Sequence, residues 1–414
     1  MSADGGEPSS GDVRPVERVQ RTQDQGTAGG RRADGDRPRL RRPAILRDPR
    51  NTALLAVPAA ATLIGVLVVL ARHRLLPAKF FYDSIHIQQI ALTGRDPFQD
   101  HSFENAAYLF RILGLQHDEL LAGLLSFALG AWAVWLAIHR AGYRMTVAAA
   151  LASAVALGLA AVYLGTYSKD VFVLPVVFVV LLARPTFRGW TWIALGLLAY
   201  AHLFRSYWFI VLALVLGFAL AARFVGRRRT VLLGPVVALV LIGLATWLVL
   251  HAGADFARAQ VNAGRQGSVD AATLIPQYLH IAQPFSGILD ALIVLVTIVA
   301  PIPLLLKGTA YYVGAGLVVA LVWAVFFTAM LRRRSLTVWT TRAGWVVLAL
   351  LTTQALFEPD YGSVVRHLTP VLALVVAVAL DRGERIGVPG GGVSAEGGPR
   401  RERPSRRSRQ APTG

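Results

Sequence analysis

Long apolar stretches, set apart by short arginine-bearing loops, leave this chain few ways to fold. They lie near 52–71, 119–138, 145–164, 171–184, 190–204, 207–223, 231–250, 311–331, 342–357 and 367–381. A run of about 20 apolar residues matches the thickness of a bilayer core. Inside that core the backbone must satisfy itself, as a helix does. The predicted fold is therefore all-α, a polytopic transmembrane helical bundle. Composition points the same way: of 414 residues, 55% are hydrophobic and 16% charged, where soluble domains carry roughly 25% charged residues.

The net charge of +18 resembles a nucleic-acid signal until it is located. Most of it sits in the two tails and in short loops between apolar runs, as the positive-inside rule requires, and no nucleic-acid motif accompanies it. Lysine occurs only as Lys79, Lys169 and Lys307. In a chain whose basic residue is nearly always arginine, a lysine is the more informative choice. Cysteine is absent, which excludes disulfides, thiol catalysis and Cys-ligated metal centres.

Residues 1–50 are rich in Gly, Pro, Ser, Asp and Arg and read as a disordered tail, and 382–414 repeat that character. "RRPAIL" at 41–46 lacks the rest of a twin-arginine signal. The transmembrane domain is expected over 51–381, with both termini cytoplasmic at the cell membrane. The stretch 286–306 is interrupted by Pro301 and Pro303 and carries Asp290. Arg140/Arg144, Arg184/Arg188, Arg227–Arg229 and Arg332–Arg334 all belong on the cytoplasmic side. Counting from an inside N-terminus satisfies all four if 286–306 makes no net crossing. About ten crossings plus one re-entrant or broken segment are thus expected, the break lying beside protein or a wet cavity. Eleven full crossings would put one basic cluster on the wrong side.

This topology sends outward the loops 72–118, 252–285 and 357–367 and the turns "TYSKD" and "FRSYW". Most of the unusual polar residues sit there. In "TYSKDVF", Ser168 or Asp170 could simply cap the next helix while Lys169 snorkels to the headgroups. "AHLFRSYWFI" adds His202, Arg205 and Tyr207, and no acid near Arg205 in sequence neutralises it. In "FEPDYGSVVRH", Glu358, Asp360, Tyr361, Arg366 and His367 crowd together. Arg366 and His367 are expected to open the last helix, where free amides attract anions; alternatively Glu358 or Asp360 pairs with Arg366 to fold the loop. The first outer loop is amphipathic, suited to helices lying on the membrane plane, and holds Asp83 with His86 one turn on. The only D-x-D triplet, Asp34-Gly35-Asp36, lies in the N-terminal tail. There is no Walker A loop, GxGxxG, HExxH or GxSxG. Neither is there an internal repeat of the kind that builds many transporters.

Three segments in order, "YSKD", "FRSYW" and "EPDYGSVVRH", make the region from about 72 to 381 similar to the O-antigen and exopolysaccharide polymerase families of bacterial inner membranes. One departure is the short loop 252–285, where better-known members carry a larger catalytic loop. The resemblance implies transfer of a glycan from a polyprenyl-pyrophosphate carrier to a carrier-linked acceptor on the outer face. It also implies a flippase and a chain-length regulator as possible partners. Lys169, Arg205, Tyr207 and Arg366 would then bind substrate, the cations meeting the charge that develops on the leaving pyrophosphate. Asp170, Asp360 and His367 would serve as base or orienter. Fixed cations would do this work with no metal and no cofactor. Two other readings stand beside it. One is a C-type glycosyltransferase using a polyprenyl-monophosphate sugar, a fold that places a catalytic acid in the first outer loop, here Asp83. The other is a lipid-linked glycan flippase or transporter without catalysis.

Overall fold

In the computed structural model, the described residues are 48–96, 100–265, 273–332 and 335–381. The expected tails lie outside them, apart from the three residues that open the first helix. The secondary structure is helical, with one isolated bridge between Leu274 and Asp360. In chain order the main helices are α1 (Pro49–Leu70), α2 (Tyr82–Thr93), α3 (His101–Ile112), α4 (Glu119–Arg140) and α5 (Val147–Tyr163). Then come α6 (Leu174–Leu182), α7 (Phe187–Leu203), α8 (Trp208–Val225), α9 (Arg227–Leu250) and α10 (Phe256–Arg265). The series closes with α11 (Phe285–Val299), α12 (Ala310–Arg332), α13 (Val338–Phe357), α14 (Tyr361–Leu368) and α15 (Leu372–Leu380).

Local sequence sets many of these boundaries. Asp48 accepts from the Arg50 amide at 3.0 Å with Pro49 as first helical residue, so α1 begins inside the stretch expected to be tail. Asp100, Asp118 and Thr146 cap α3, α4 and α5 in the same manner. Each of the ten apolar stretches forms a helix. The loop 72–118 contains the paired helices α2 and α3.

Among the described residues six segments are long and apolar enough to cross a membrane: α1, α4, α8, α9, α12 and the joined segment Tyr361–Leu380. Their surroundings differ. Only 17% of the apolar window of α1 is buried, against 83% for Tyr361–Leu380. Every residue of α15 is buried, between α4, α5, α12 and α13. A helix apolar on all sides belongs in the middle of the protein, and the last helix is the bundle's core.

Contacts define two ends. At one end the α4–α5 turn meets the start of α1, where Asn51 donates to the Tyr143 carbonyl at 3.0 Å. There too Arg342 donates to the carbonyls of Arg184 at 2.6 Å and Thr186 at 2.8 Å. Asp381 accepts from the Thr337 amide at 2.7 Å. The other end gathers the long loops. Gly123 of α4 abuts Gly165 so closely that a Cβ would lie 2.3 Å from the Gly165 carbonyl oxygen. Glycine is what lets "GTYSKD" cross over α4 there.

The broken stretch 286–306 follows neither pattern. α11 runs from the loop end until Val299 shares a groove with Trp323 and Phe327 of α12. After Pro301 a short turn, Ile302–Leu305, brings Leu305 against Gly316. By Tyr311 the chain is back at the loop end, where Lys79 lies 4.8 Å above the Tyr311 ring.

Candidate functional site

The loop end carries a cluster of ionised side chains around Asp170, which is 1% exposed. Its backbone lies in a 3₁₀ turn, Lys169–Val173, capped by the Ser168 hydroxyl at 3.2 Å from the Asp170 amide. The aspartate therefore precedes α6 rather than opening it. A carboxylate so buried needs opposite charge. Two arginines from distant segments supply it. Arg205, in the α7–α8 turn, donates to one oxygen at 2.9 Å. Arg366, in the last turn of α14, brings Nε to 3.3 Å from the other.

Each arginine also holds a second partner. Arg366 donates to Asp83 of α2 at 2.7 Å, and their side chains keep 27% and 30% exposure, so this edge of the cluster opens outward. Arg205 Nη1 lies 2.8 Å from the Tyr207 hydroxyl and 2.7 Å from His367 Nε2. A guanidinium can only donate, which makes Nε2 an acceptor and puts the imidazole proton on Nδ1. That nitrogen faces Glu358 Oε1 at 2.5 Å. The tautomer thus follows from the donors around the ring. Glu358 is 3% exposed, and burial pushes its carboxyl up to about 8 although Arg205 and Arg366 pull the other way.

Lys169 is folded into the protein. It is 8% exposed, donates to the Ser102 hydroxyl at 3.1 Å, lies 3.7 Å from Asp100 and sits 3.4 Å above the Phe103 ring. Burial and the neighbouring Arg205 bring its ammonium down to about 8, against the opposing effect of Asp83. At Asp83 burial resists ionisation, but Arg366, Lys169 and Arg205 together outweigh it and hold the carboxyl below its usual range.

Of the residues singled out in the sequence, Asp83, Lys169, Asp170, Arg205, Tyr207, Arg366 and His367 meet in this cluster. Asp360 stands apart. It caps α14 through the Ser363 amide at 2.8 Å and pairs with Arg265 at 2.9 Å. The helix starts there, so Arg366 and His367 lie in its last turn and not, as expected, at its first amides.

Several members of the cluster were not assigned a role from sequence. Glu358 was visible only as a partner for Arg366. Asp100, Ser102 and Phe103 carry one legible signal, an aspartate ahead of an amphipathic helix, and that signal speaks of capping. Glu119 has none: it accepts from Ser84 at 3.0 Å and Thr166 at 2.9 Å and pairs with Arg72 at 3.2 Å. It thereby ties the loop carrying Asp83 to the turn carrying Lys169. Among the described residues no group of three or more His, Asp or Glu side chains is arranged to hold a metal ion.

The chain matches no family model, no curated protein and no solved structure.

Proposed function

We propose that this protein is a membrane glycosyltransferase that takes a glycan from a polyprenyl-linked phosphate carrier at the outer face of the cell membrane, in the manner of a polysaccharide polymerase. One observation carries the reading: Arg205 and Arg366, drawn from two separate segments, converge on one buried aspartate at the loop end, with Lys169 buried next to it in sequence. Isolated charges at a bilayer edge need no such convergence. A leaving pyrophosphate does, because fixed donors stabilise the negative charge as it develops. Arginine offers two parallel N–H groups to phosphate oxygens, and lysine a compact point charge. The opening at Arg366 and Asp83 gives the carrier's headgroup its approach.

The proposed topology has about ten crossings, a helix of 17 residues such as α5 spanning a bilayer locally thinned or met by flanking residues. The stretch 286–306 enters and returns without crossing, in keeping with Tyr311 and Lys79 at the same end. The basic loops at the opposite end support a cytoplasmic position for both termini. The acceptor is a second carrier-linked glycan, and a flippase and a chain-length regulator are the proposed partners.

A second reading has its own observation. Asp83 lies in the first outer loop, part-exposed and 2.7 Å from a phosphate-type arginine, as a C-type transferase acting on a polyprenyl-monophosphate sugar requires of its base. Transfer from purified lipid-linked donors in detergent separates the two: pyrophosphate-linked oligosaccharide should be consumed and monophosphate-linked sugar left. At matched protein amounts Arg366→Lys keeps the charge but loses the fork, so transfer should fall roughly ten- to a hundredfold. Consumption of the monophosphate donor alone would establish the second reading. No transfer from either donor would remove the enzyme from consideration.

A further inference from the structure

Three proton acceptors in the cluster are engaged by arginine. Asp170 is held by Arg205 and Arg366, and Asp83 by Arg366. The Nε2 lone pair of His367 lies 2.7 Å from Arg205 and 3.4 Å from Arg366. A transferase in this state keeps its imidazole under a guanidinium. Yet His367 is otherwise prepared for proton transfer: a carboxyl oxygen of Glu358 accepts from Nδ1 and so fixes the ring and its tautomer. Its only blocked atom is the one that would work.

We propose that Arg205 is a phosphate-operated latch on His367. It rests on the transferase reading above and adds to it when the base becomes available. In the resting protein Arg205 divides its N–H groups among Asp170, Tyr207 and His367. An arriving lipid phosphate is a better acceptor for Nη1 than a neutral imidazole, because both partners are charged. The guanidinium keeps Asp170 through Nη2 and turns Nη1 to the phosphate oxygen, which exposes Nε2. The acceptor hydroxyl then bonds to the sugar's anomeric carbon as the bond from that carbon to the phosphate oxygen breaks. The hydroxyl proton passes to Nε2, and the departing pyrophosphate keeps the electron pair beside Arg205, Arg366 and Lys169. Without donor the base stays covered. An acceptor or a water that enters first meets a covered imidazole, so the order of binding follows from the contact between Arg205 and His367.

The test reads the histidine itself and needs no turnover. Diethyl pyrocarbonate acylates an unprotonated, unblocked imidazole nitrogen, and mass spectrometry assigns the modified residue among the nine histidines of the chain. Full-length protein in detergent is treated with and without farnesyl pyrophosphate, a short isoprenoid pyrophosphate. His367 should be modified slowly alone and roughly tenfold or more faster with the probe, the scale of one charge-assisted hydrogen bond broken. Arg205→Gln should modify quickly without any probe. Equal rates in wild type with and without probe would overturn the latch, whatever the transfer assay shows. So would an unreactive His367 in Arg205→Gln. In the transfer assay His367→Gln should lose on the order of a hundredfold or more, the usual weight of a general base. Retained activity there, with Asp83→Asn inactive, would assign the base to Asp83 and end the proposal.

Discussion

The two ends of the bundle are held together by different chemistry. At the basic end, arginines donate to backbone carbonyls and stack on indoles: Arg342 on Arg184 and Thr186, and Arg140 over Trp339 at 5.0 Å. Among the described residues the carboxylates placed there are Asp48 and Asp381, both bonded to helix-start amides. At the loop end, arginines meet carboxylates and one another's partners, and Asp83, Asp100, Asp170 and Glu358 lie within one cluster. A guanidinium on a carbonyl closes a turn and leaves nothing to exchange. A guanidinium on a carboxylate can exchange that partner for another anion at little net change in charge. The first arrangement fits a fixed end, the second a working one.

The largest effect expected from breaking this contrast is at Asp170. Asp170→Asn leaves Arg205 and Arg366 without their shared counter-ion, a loss of about 3–5 kcal/mol for a buried pair stripped of one partner. Thermal unfolding in detergent should show it, with transfer abolished. Arg342→Gln, equally buried but at the basic end, should cost less, about 1–3 kcal/mol, and leave transfer per folded molecule unchanged. If the two variants lose stability and activity alike, the ends are not distinct in kind.

Next comes Lys169→Ala. The lysine contacts Ser102, Asp100 and Phe103 and no member of the buried arginine pair. Transfer should therefore fall roughly ten- to a hundredfold, about 1.5–3 kcal/mol in barrier, while the protein accumulates in the membrane as before. Unchanged polymer yield would make this lysine a structural contact of the first loop.

The smallest effect is a dependence on pH that belongs to the loop end alone. Glu358 holds its proton up to about 8 when folded against 4.5 when free, so its contribution to stability is complete below 4.5 and declines until about 8. Lys169 releases its proton at about 8 when folded against 10.5 when free, so its contribution is absent below about 8 and grows until 10.5. The two slopes meet in a stability minimum near 8. Glu358→Gln should flatten the acid-side slope and Lys169→Met the alkaline one, read as unfolding temperature against pH. Activity that depends on the Lys169 cation should decline above the same point, and Lys169→Arg should carry that limb to higher pH. A profile unmoved by all three variants would detach both groups from the cluster.

The difference between the ends also explains what could be read from sequence. Apolar length and arginine-bearing loops gave all ten helices, because burial in lipid is decided residue by residue. The polar turns were recognisable through their excess: an arginine without a local acid at 205, a lysine in an arginine-rich chain at 169. Pairing was not legible. That Asp170 joins Arg205 to Arg366 depends on how α5, α7 and α14 meet, which no local pattern states. The misplaced start of the last helix has a local cause as well. Asp360 is a good cap, and α14 absorbed Arg366 and His367 into a helix whose polar first half hides in a hydropathy window. Glu119 was missed for the opposite reason, since an acid in a helix's first turn already has an ordinary explanation in the helix dipole.

The central position of α15 bears on how the molecule is born. Asp83 and its partner Arg366 are 283 residues apart, and Asp170 and Arg366 are 196 apart (366 minus 170). At the usual pace of synthesis, Asp170 waits on the order of ten seconds or more for its second arginine. Throughout that interval the earlier helices must leave a vacancy along α4, α5, α12 and α13 for the segment that ends as their common neighbour. The nascent chain thus holds Asp170 on Arg205 alone until its final insertion brings Arg366. A ribosome that stops before α14 releases a protein in which Asp83 and Asp170 lack the arginine they share.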